Sequence, residues 1–465
     1  MMDLERLATA LGAVEVVGRA PVEVRGLAYD TRDVVSGSLF FCVPGARADG
    51  HDFAAEAVAA GAVAVVVERP LDVPVPQVLV ADARAAMAPA ADEFFGRPTD
   101  ELQVVGVTGT NGKTTTAFLL YAILAAAGRR PGLVGTIEAR VGGERRGVRH
   151  TTPEAIDLQR LFREMLDAGD RSVALEASSH ASALHRLDRV RFAALVFTNL
   201  SHEHLDFHSD MEDYFQAKRR LFVEGRPPAA VNTGDEYGRR LAAELPDALT
   251  FGFGDEAKLG PEALAGVDLK LRGRFNVENA LGALAAARLL AIDEDAIRRG
   301  LESVRGVPGR LEAVDEGQPF EVIVDYAHKP LALETLLRTV RELSSGGRVI
   351  CVFGCGGDRD REKRPQMGRI ASELADTVIV TNDNPRSEDP QSIIDAIVAG
   401  AAGEAEVLPD RAEAIARAIE LARDGDVVVI AGKGAEQGQE FADRTVPFDD
   451  REAAREALRT LGART

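Results

Sequence analysis

The chain has 465 residues, and at roughly 150 residues per domain that length predicts about three domains. Lys and Arg total 55 against 74 Asp and Glu, a formal charge of −19, which excludes a broad nucleic-acid or anionic-membrane surface but not a small anion held by a few local cations. Hydrophobic residues make up 46%, enough to bury several cores.

In chain order, buried strands are predicted at 62–67, 76–80 and 103–107, the last running into a glycine-rich loop and a helix over 113–127. Further strands are predicted at 172–176, 194–198, 229–232, 322–325, 349–353, 377–381 and 427–431. Short β-branched strands alternating with helical stretches mean α/β layers with mainly parallel sheets. Turn-rich breaks at Gly96-Arg97-Pro98-Thr99-Asp100 and Gly306-Val307-Pro308-Gly309 divide the chain into domains 1–98, 99–309 and 310–465. The three cysteines (Cys42, Cys351, Cys355) are too few for a disulfide framework and suit a reducing cytosol. The start, Met1 to Arg6, lacks the basic-then-apolar pattern of a signal peptide, and no apolar run is long enough to span a membrane. A cytoplasmic protein is expected.

The sharpest motif is Thr108-Gly109-Thr110-Asn111-Gly112-Lys113-Thr114-Thr115, between a strand and a helix. Glycines let backbone N–H groups curl around phosphate oxygens, and the helix N-terminus adds its positive end. Lys113 can reach the β/γ-phosphates and the Thr114 hydroxyl can sit on Mg²⁺. The strict P-loop pattern would put glycine where Val107 stands, so the loop is a variant nucleoside triphosphate site. Glu176-Ala177-Ser178-Ser179-His180 follows the next strong strand, where Glu176 is placed to take a metal. After Thr198-Asn199-Leu200 comes His202-Glu203-His204-Leu205-Asp206-Phe207-His208; this is not a structural zinc spacing, and its alternative reading is a solvated loop. Lys218 lies in an amphipathic helix pattern, which by itself reads as a surface lysine.

In the last third, polar loops follow successive strands: Cys351 to Gly357 with the charged run from Asp358, then Thr381 to Arg386, then Gly432 to Glu436. Loops after parallel strands share one sheet edge. That edge collects Arg359, Asn384, Arg386 and Glu436, a mixed-charge set suited to a zwitterion.

Taken together, the sequence resembles the Mur ligases. The resemblance rests on Gly109 to Thr115, Thr151-Thr152-Pro153, Glu176 to His180, Thr198 to Leu200 with His204-Leu205-Asp206, and Lys218. It continues through Gly273 to Asn279, Pro308 to Glu312, Asp325-Tyr326-Ala327-His328 and Gly356 to Asp360. Asp30-Thr31-Arg32 with Gly37 to Phe40 is similar to the loop that holds a uridine nucleotide, and Asp383-Asn384-Pro385-Arg386 resembles the signature of a diaminopimelate-adding branch.

The resemblance implies an α/β protein of three domains. A UDP-substrate domain is followed by a central P-loop-type ATP-binding domain and a Rossmann-like amino-acid-binding domain. It implies an ATP-dependent amide ligase that adds meso-diaminopimelate to UDP-N-acetylmuramoyl-L-alanyl-D-glutamate through an acyl phosphate, in peptidoglycan precursor synthesis, and works as a monomer without nucleic-acid or membrane partners. It assigns ATP to Gly109, Thr110, Asn111, Gly112, Lys113, Thr114, Thr115, Asn276, Asn279, Arg310, Asp325 and His328. Mg²⁺ would be held by Thr114, Glu176, His204 and Lys218, the last as a CO₂-derived carbamate. With Lys113, these supply the catalytic set Lys113, Glu176, His204 and Lys218. The UDP-muramyl-peptide falls to Thr31, Arg47, Thr151, Thr152, Ser178 and Arg186. Diaminopimelate falls to Arg359, Asp383, Asn384, Pro385, Arg386, Gly432 and Glu436.

The sequence departs from the family's pattern at Glu203, Ser209 and Ala435, and it is short between Asn232 and Gly273. The alternatives are a sister ligase adding L-lysine or another amine, and a degenerate nucleotide-binding scaffold.

Overall fold

The computed structural model describes every residue except 19–20, 46–47, 149, 206, 345 and 463–465, so Arg47 and Asp206 lie outside the described residues. Two compact units result: Met1–Asp268 with Glu278–Ser303, and Leu269–Val277 with Val304–Thr465.

The first unit holds two main sheets. The smaller runs in the order Glu15–Val17, Gln77–Leu79, Ala62–Val67, Ser38–Phe41, Gly26–Ala28, parallel except for its first strand. Alternation sends Leu39, Phe41, Ala64 and Val66 to one buried layer and Phe40, Cys42, Val65 and Val67 to the other. Both faces are therefore covered, as a parallel sheet requires. The larger sheet runs Glu144–Arg146, Ala139–Val141, Pro131–Val134, Ser172–Glu176, Gln103–Thr108, Phe192–Phe197, Ala229–Asn232, Leu249–Phe251. It is parallel from Pro131–Val134 onward and ends at its other side in an antiparallel hairpin. The glycine-rich strand Gln103–Thr108 lies inside it. Register pairs Glu176 with Val107 and Phe197 with Thr108, so three strand ends stand side by side.

The short stretch after Asn232 adds helix Glu236–Glu244 and the outermost strand of that same sheet. Aspartates account for many helix starts: Asp82, Asp210 and Asp235 each accept a backbone N–H of the first turn. Part of the acidic excess is therefore spent locally, where a negative charge suits a helix N-terminus.

The second unit is a doubly wound sheet in the order Glu312–Ala313, Glu321–Asp325, Val427–Ala431, Val349–Phe353, Thr377–Val380, Glu406–Val407. Only the first strand is antiparallel. Helices Pro330–Leu343, Lys363–Leu374 and Pro390–Val398 cover one face, and Arg411–Leu421 with Asp450–Gly462 cover the other. The two helices of that second face are joined by a fully buried ion pair. Arg411 donates Nε and Nη2 to Asp450 at 2.7 and 2.8 Å. Arg411 also donates to the carbonyls of Asn382, just past strand Thr377–Val380, and of Ala431, the end of strand Val427–Ala431. Among the described residues no helix is long and apolar enough to cross a membrane.

Candidate active site

The loop after Gln103–Thr108 is shaped by close approach. Gly109 has φ +148° and Gly112 φ +84°, and a Cβ on either would collide, with Thr198 Oγ1 and Asn279 Oδ1 respectively. Only glycine serves at both places. The neighbouring strand end holds the loop from the side: Thr198 Oγ1 donates to Asn111 O at 2.6 Å, and Asn199 Oδ1 accepts Asn111 N–H at 2.9 Å. Lys113 begins helix Lys113–Ala126 and folds back, with Nζ 3.0 Å from Gly109 O and 2.8 Å from Thr110 O. Thr110 and Thr115 are buried in the same turn, the Thr110 hydroxyl 3.1 Å from that of Tyr214.

The next strand brings Glu176, which is buried. Its Oε2 accepts the Thr114 hydroxyl at 3.0 Å, and Thr136 donates to both carboxylate oxygens, from N at 2.8 Å and Oγ1 at 3.1 Å. Among the described residues no group of three or more His, Cys, Asp or Glu side chains would hold a metal alone. Mg²⁺ does not need one, because it commonly takes one or two protein oxygens and completes its shell with phosphate and water. The Thr114–Glu176 pair fits that use.

Lys218 corrects the surface reading of its helix, because its side chain is 1% exposed. Its Nζ donates to Gly109 O at 2.8 Å and lies 4.7 Å from the Tyr214 ring centre. Burial, and then the Lys113 charge, push this amine well below the ordinary lysine range. His204 is set on left-handed backbone, φ +57°, against His180 and Tyr214. Burial and the neighbouring His180, Lys113 and Lys218 lower its pKa to about 3, so its imidazole is neutral and able to bind a metal at neutral pH. The solvated-loop alternative for this segment does not hold for His208, which is buried and packs on Tyr214.

Beside Glu176 lies a hydroxyl-rich cluster. Thr151 Oγ1 is 3.1 Å from Thr136 Oγ1, Thr152 Oγ1 donates to Glu176 O at 2.7 Å, and Ser178 N–H reaches Thr152 Oγ1 at 3.2 Å. Arg186 donates to Thr152 O and pairs with Glu154, which also pairs with Arg84. Thr31 sits in the turn Thr31–Asp33 of the smaller sheet, remote in sequence from this cluster. Asn279 Oδ1 is 3.5 Å from Thr116 Oγ1 in the first unit, whereas Asn276 belongs to the second, its amide donating to Arg272 O.

The second unit gathers the remaining expected residues at the carboxyl ends of its strands. The half-buried Asp325 carboxylate accepts Leu311 N–H at 2.7 Å and Ala327 N–H at 2.8 Å, and desolvation raises its pKa. Arg310 stacks 4.6 Å over Tyr326, whose ring meets His328 edge-on. Burial and then Lys363 lower His328 to about 4. The unfolded chain would protonate this histidine near pH ~6.5 and the folded protein would not, so its contribution is complete above that value and is withdrawn as pH falls toward about 4. We expect a loss of about 1 kcal/mol by about pH 5, after allowing for partial solvent screening. Urea midpoints at the two pH values check it, and His328→Gln should flatten the dependence.

Beyond Asp325, the loops after Val349–Phe353, Thr377–Val380 and Val427–Ala431 interlock. Gly357 N–H donates to Asn384 O, Arg386 Nη1 to Gly357 O, and Asn384 Nδ2 to Glu436 Oε2 at 2.9 Å. Gly432 N–H donates to Asp325 O, and a Cβ on Gly432 would stand 2.6 Å from Asp383 Oδ2. Pro385 O lies directly against Gly357, and Arg359 is exposed at the rim. The structure thus brings Asp383, Asn384, Pro385, Arg386, Gly432 and Glu436 together, with Arg359 at the edge. Thr136 and Tyr214 have no role in the sequence reading, which carries Asn199 and Lys433 only inside motifs; the signals available for those two are the Thr198-Asn199-Leu200 motif and the place of Lys433 between two glycines of a post-strand loop.

Profiles of the Mur ligase family catalytic domain, the Mur ligase middle domain and the Mur ligase glutamate ligase domain match residues 23–95, 107–287 and 309–434. The chain is 47% identical to a UDP-N-acetylmuramoyl-L-alanyl-D-glutamate–2,6-diaminopimelate ligase of Solibacter usitatus, with 95% of each chain covered. It is 45% identical to the protein of that name in Streptomyces coelicolor, covering 98% of this chain and 96% of that one. A solved structure of a ligase of the same name is 30% identical, covers 99% of each chain and superposes with a TM-score of 0.68.

Proposed function

The chain belongs to the Mur ligase family, and on that premise we propose that it is an ATP-dependent ligase that joins meso-diaminopimelate to UDP-N-acetylmuramoyl-L-alanyl-D-glutamate. The observation that carries the reading to the acceptor is the interlocked edge of the second unit, where Arg386 and Asn384 offer donors beside the Glu436 carboxylate. An arginine and an amide suit a carboxylate, and a glutamate suits an ammonium.

The chemistry must overcome a poor leaving group, because an amine cannot displace oxide from a carboxylate. Transfer of the γ-phosphoryl group of ATP to the D-glutamyl side-chain carboxylate gives an acyl phosphate and ADP. The amine attacks the acyl carbon, loses a proton, and phosphate departs with the C–O bond. Catalysis is then mainly positioning and charge neutralisation. In this reading the loop N–H groups of Gly109 to Thr115 and the helix start hold the phosphates, and Lys113 swings from its loop carbonyls to the β/γ-phosphates. Mg²⁺, held by Thr114 and Glu176, would neutralise the transferring oxygens. His204 and Lys218, the latter as a carbamate, would hold a second ion. Thr151, Thr152, Ser178 and Arg186 orient the muramyl peptide, and Thr31 and Arg47 its uridine end. The boundaries 1–98, 99–309 and 310–465 divide these tasks.

The direct test is ADP release with each candidate amino acid. Turnover should require both UDP-muramyl dipeptide and meso-diaminopimelate; turnover with L-lysine in preference would overturn the acceptor assignment. Arg386→Ala should raise the diaminopimelate KM about tenfold or more while leaving the ATP KM within about twofold, because it removes a charge-assisted donor from one site only. Equal effects on both constants would remove Arg386 from that site.

A further inference from the structure

Lys433 is fully buried and lies behind the buried Asn384 and the part-exposed Glu436. Its Nζ donates to Asn384 Oδ1 at 2.7 Å and to Glu436 Oε2 at 3.1 Å. The backbone N–H of Glu440 donates to the same Asn384 oxygen at 3.0 Å, and Asn384 Nδ2 donates to Glu436 Oε2 at 2.9 Å. An ammonium and a backbone N–H can only donate, and a carboxylate can only accept. Three independent neighbours therefore fix the amide with its oxygen inward.

We infer that Lys433 is a positioning residue that makes Asn384 present an N–H, and Glu436 a single carboxylate oxygen, to the acceptor amino acid. This rests on the proposed acceptor site and sharpens it. Asn384 keeps its second Nδ2 hydrogen, and Glu436, whose side chain is 38% exposed, keeps Oε1. Gly432, at φ +123°, and Gly434, at φ +55°, hold the loop that brings Lys433 underneath. Arg386 is tied to the same patch, its Nε donating to Glu440 Oε2 at 2.8 Å.

The patch so arranged has donors on one side and an acceptor on the other. An acceptor whose far end is an amino-acid centre satisfies both, its carboxylate on Asn384 and Arg386 and its ammonium on Glu436. One whose far end is an ammonium alone satisfies only Glu436, and leaves desolvated donors without partners. Without Lys433 the amide oxygen loses its charged donor and keeps only the Glu440 N–H, which weakens the hold on the orientation that presents the N–H.

The test compares wild type, Lys433→Met and Asn384→Asp with meso-diaminopimelate and L-lysine. Lys433→Met should raise the diaminopimelate KM about tenfold, leave the ATP KM within about twofold, and lower the diaminopimelate-to-lysine ratio of kcat/KM about tenfold. Asn384→Asp keeps a partner for Lys433 and replaces the presented N–H by an acceptor, so the same ratio should fall if Lys433→Met fails to fold. An unchanged ratio in Asn384→Asp, or in a folded Lys433→Met, overturns the inference while wild-type turnover with diaminopimelate upholds the function. Absence of wild-type turnover with diaminopimelate removes the function, and this inference with it.

Discussion

Replacing Lys218 by alanine is expected to lower turnover by at least about a hundredfold, with short-chain carboxylic acids restoring part of it. The reason lies in its surroundings. Its amine is buried beside Lys113 and bonded to Gly109 O, and both burial and that neighbouring charge disfavour the ammonium. In the proposed reading the neutral amine would attack CO₂, forming an N–C bond and releasing a proton, and the resulting carbamate would be an anion beside the Lys113 cation. A small carboxylate diffusing into the space left by the side chain would supply the same charge. Lys218→Met, which preserves apolar volume, separates lost packing from lost chemistry. Isotopically labelled bicarbonate should give a carbamate resonance in the wild type that both variants lack. Full activity in either variant would sink the assignment.

The second large effect falls on stability. Asp450→Ala should cost about 3–5 kcal/mol, because it strands the Arg411 guanidinium in a site with no exposure. The double variant Arg411→Met with Asp450→Ala should recover much of that loss, since removing both charges also removes the desolvation cost. Urea unfolding of the three variants measures the cycle. A loss below about 1 kcal/mol in Asp450→Ala would mean that water reaches the pair. Arg411 also holds the carbonyls of Asn382 and Ala431, so the loops after Thr377–Val380 and Val427–Ala431 should loosen in the same variant.

Much of this architecture is written in the sequence as continuous β-branched runs. Ala62–Val67, Val349–Phe353 and Val427–Ala431 are buried on both faces, and nothing polar interrupts them. Strands that are short or exposed, such as Glu15–Val17, Gly26–Ala28 and Glu144–Arg146, carry no such signature; they are defined by the neighbour they pair with. The glycine-rich loop was legible because strand, turn and helix occur in one segment. The local pattern alone reads Lys218 as a surface residue even though the periodicity marks it. Tyr214, Lys218, Leu221 and Phe222 form one buried stripe of helix Met211–Val223, and a lysine on an apolar stripe signals a built environment. Thr136 beside Glu176 and Glu440 beside Asn384 were beyond reach, since they come from distant loops that only the fold brings together.

That order bears on how the chain acquires its shape during synthesis. Val427–Ala431, the last long strand to leave the ribosome, does not add to an edge of its sheet. It enters between Glu321–Asp325 and Val349–Phe353, which precede it by some of the longest spans in the unit. Until it arrives, those two strands have no common neighbour, and each exposes a row of unpaired backbone groups. The edge proposed for the acceptor is therefore among the later features of this unit to form, and the nascent chain is most open to mispairing just before Val427–Ala431 emerges.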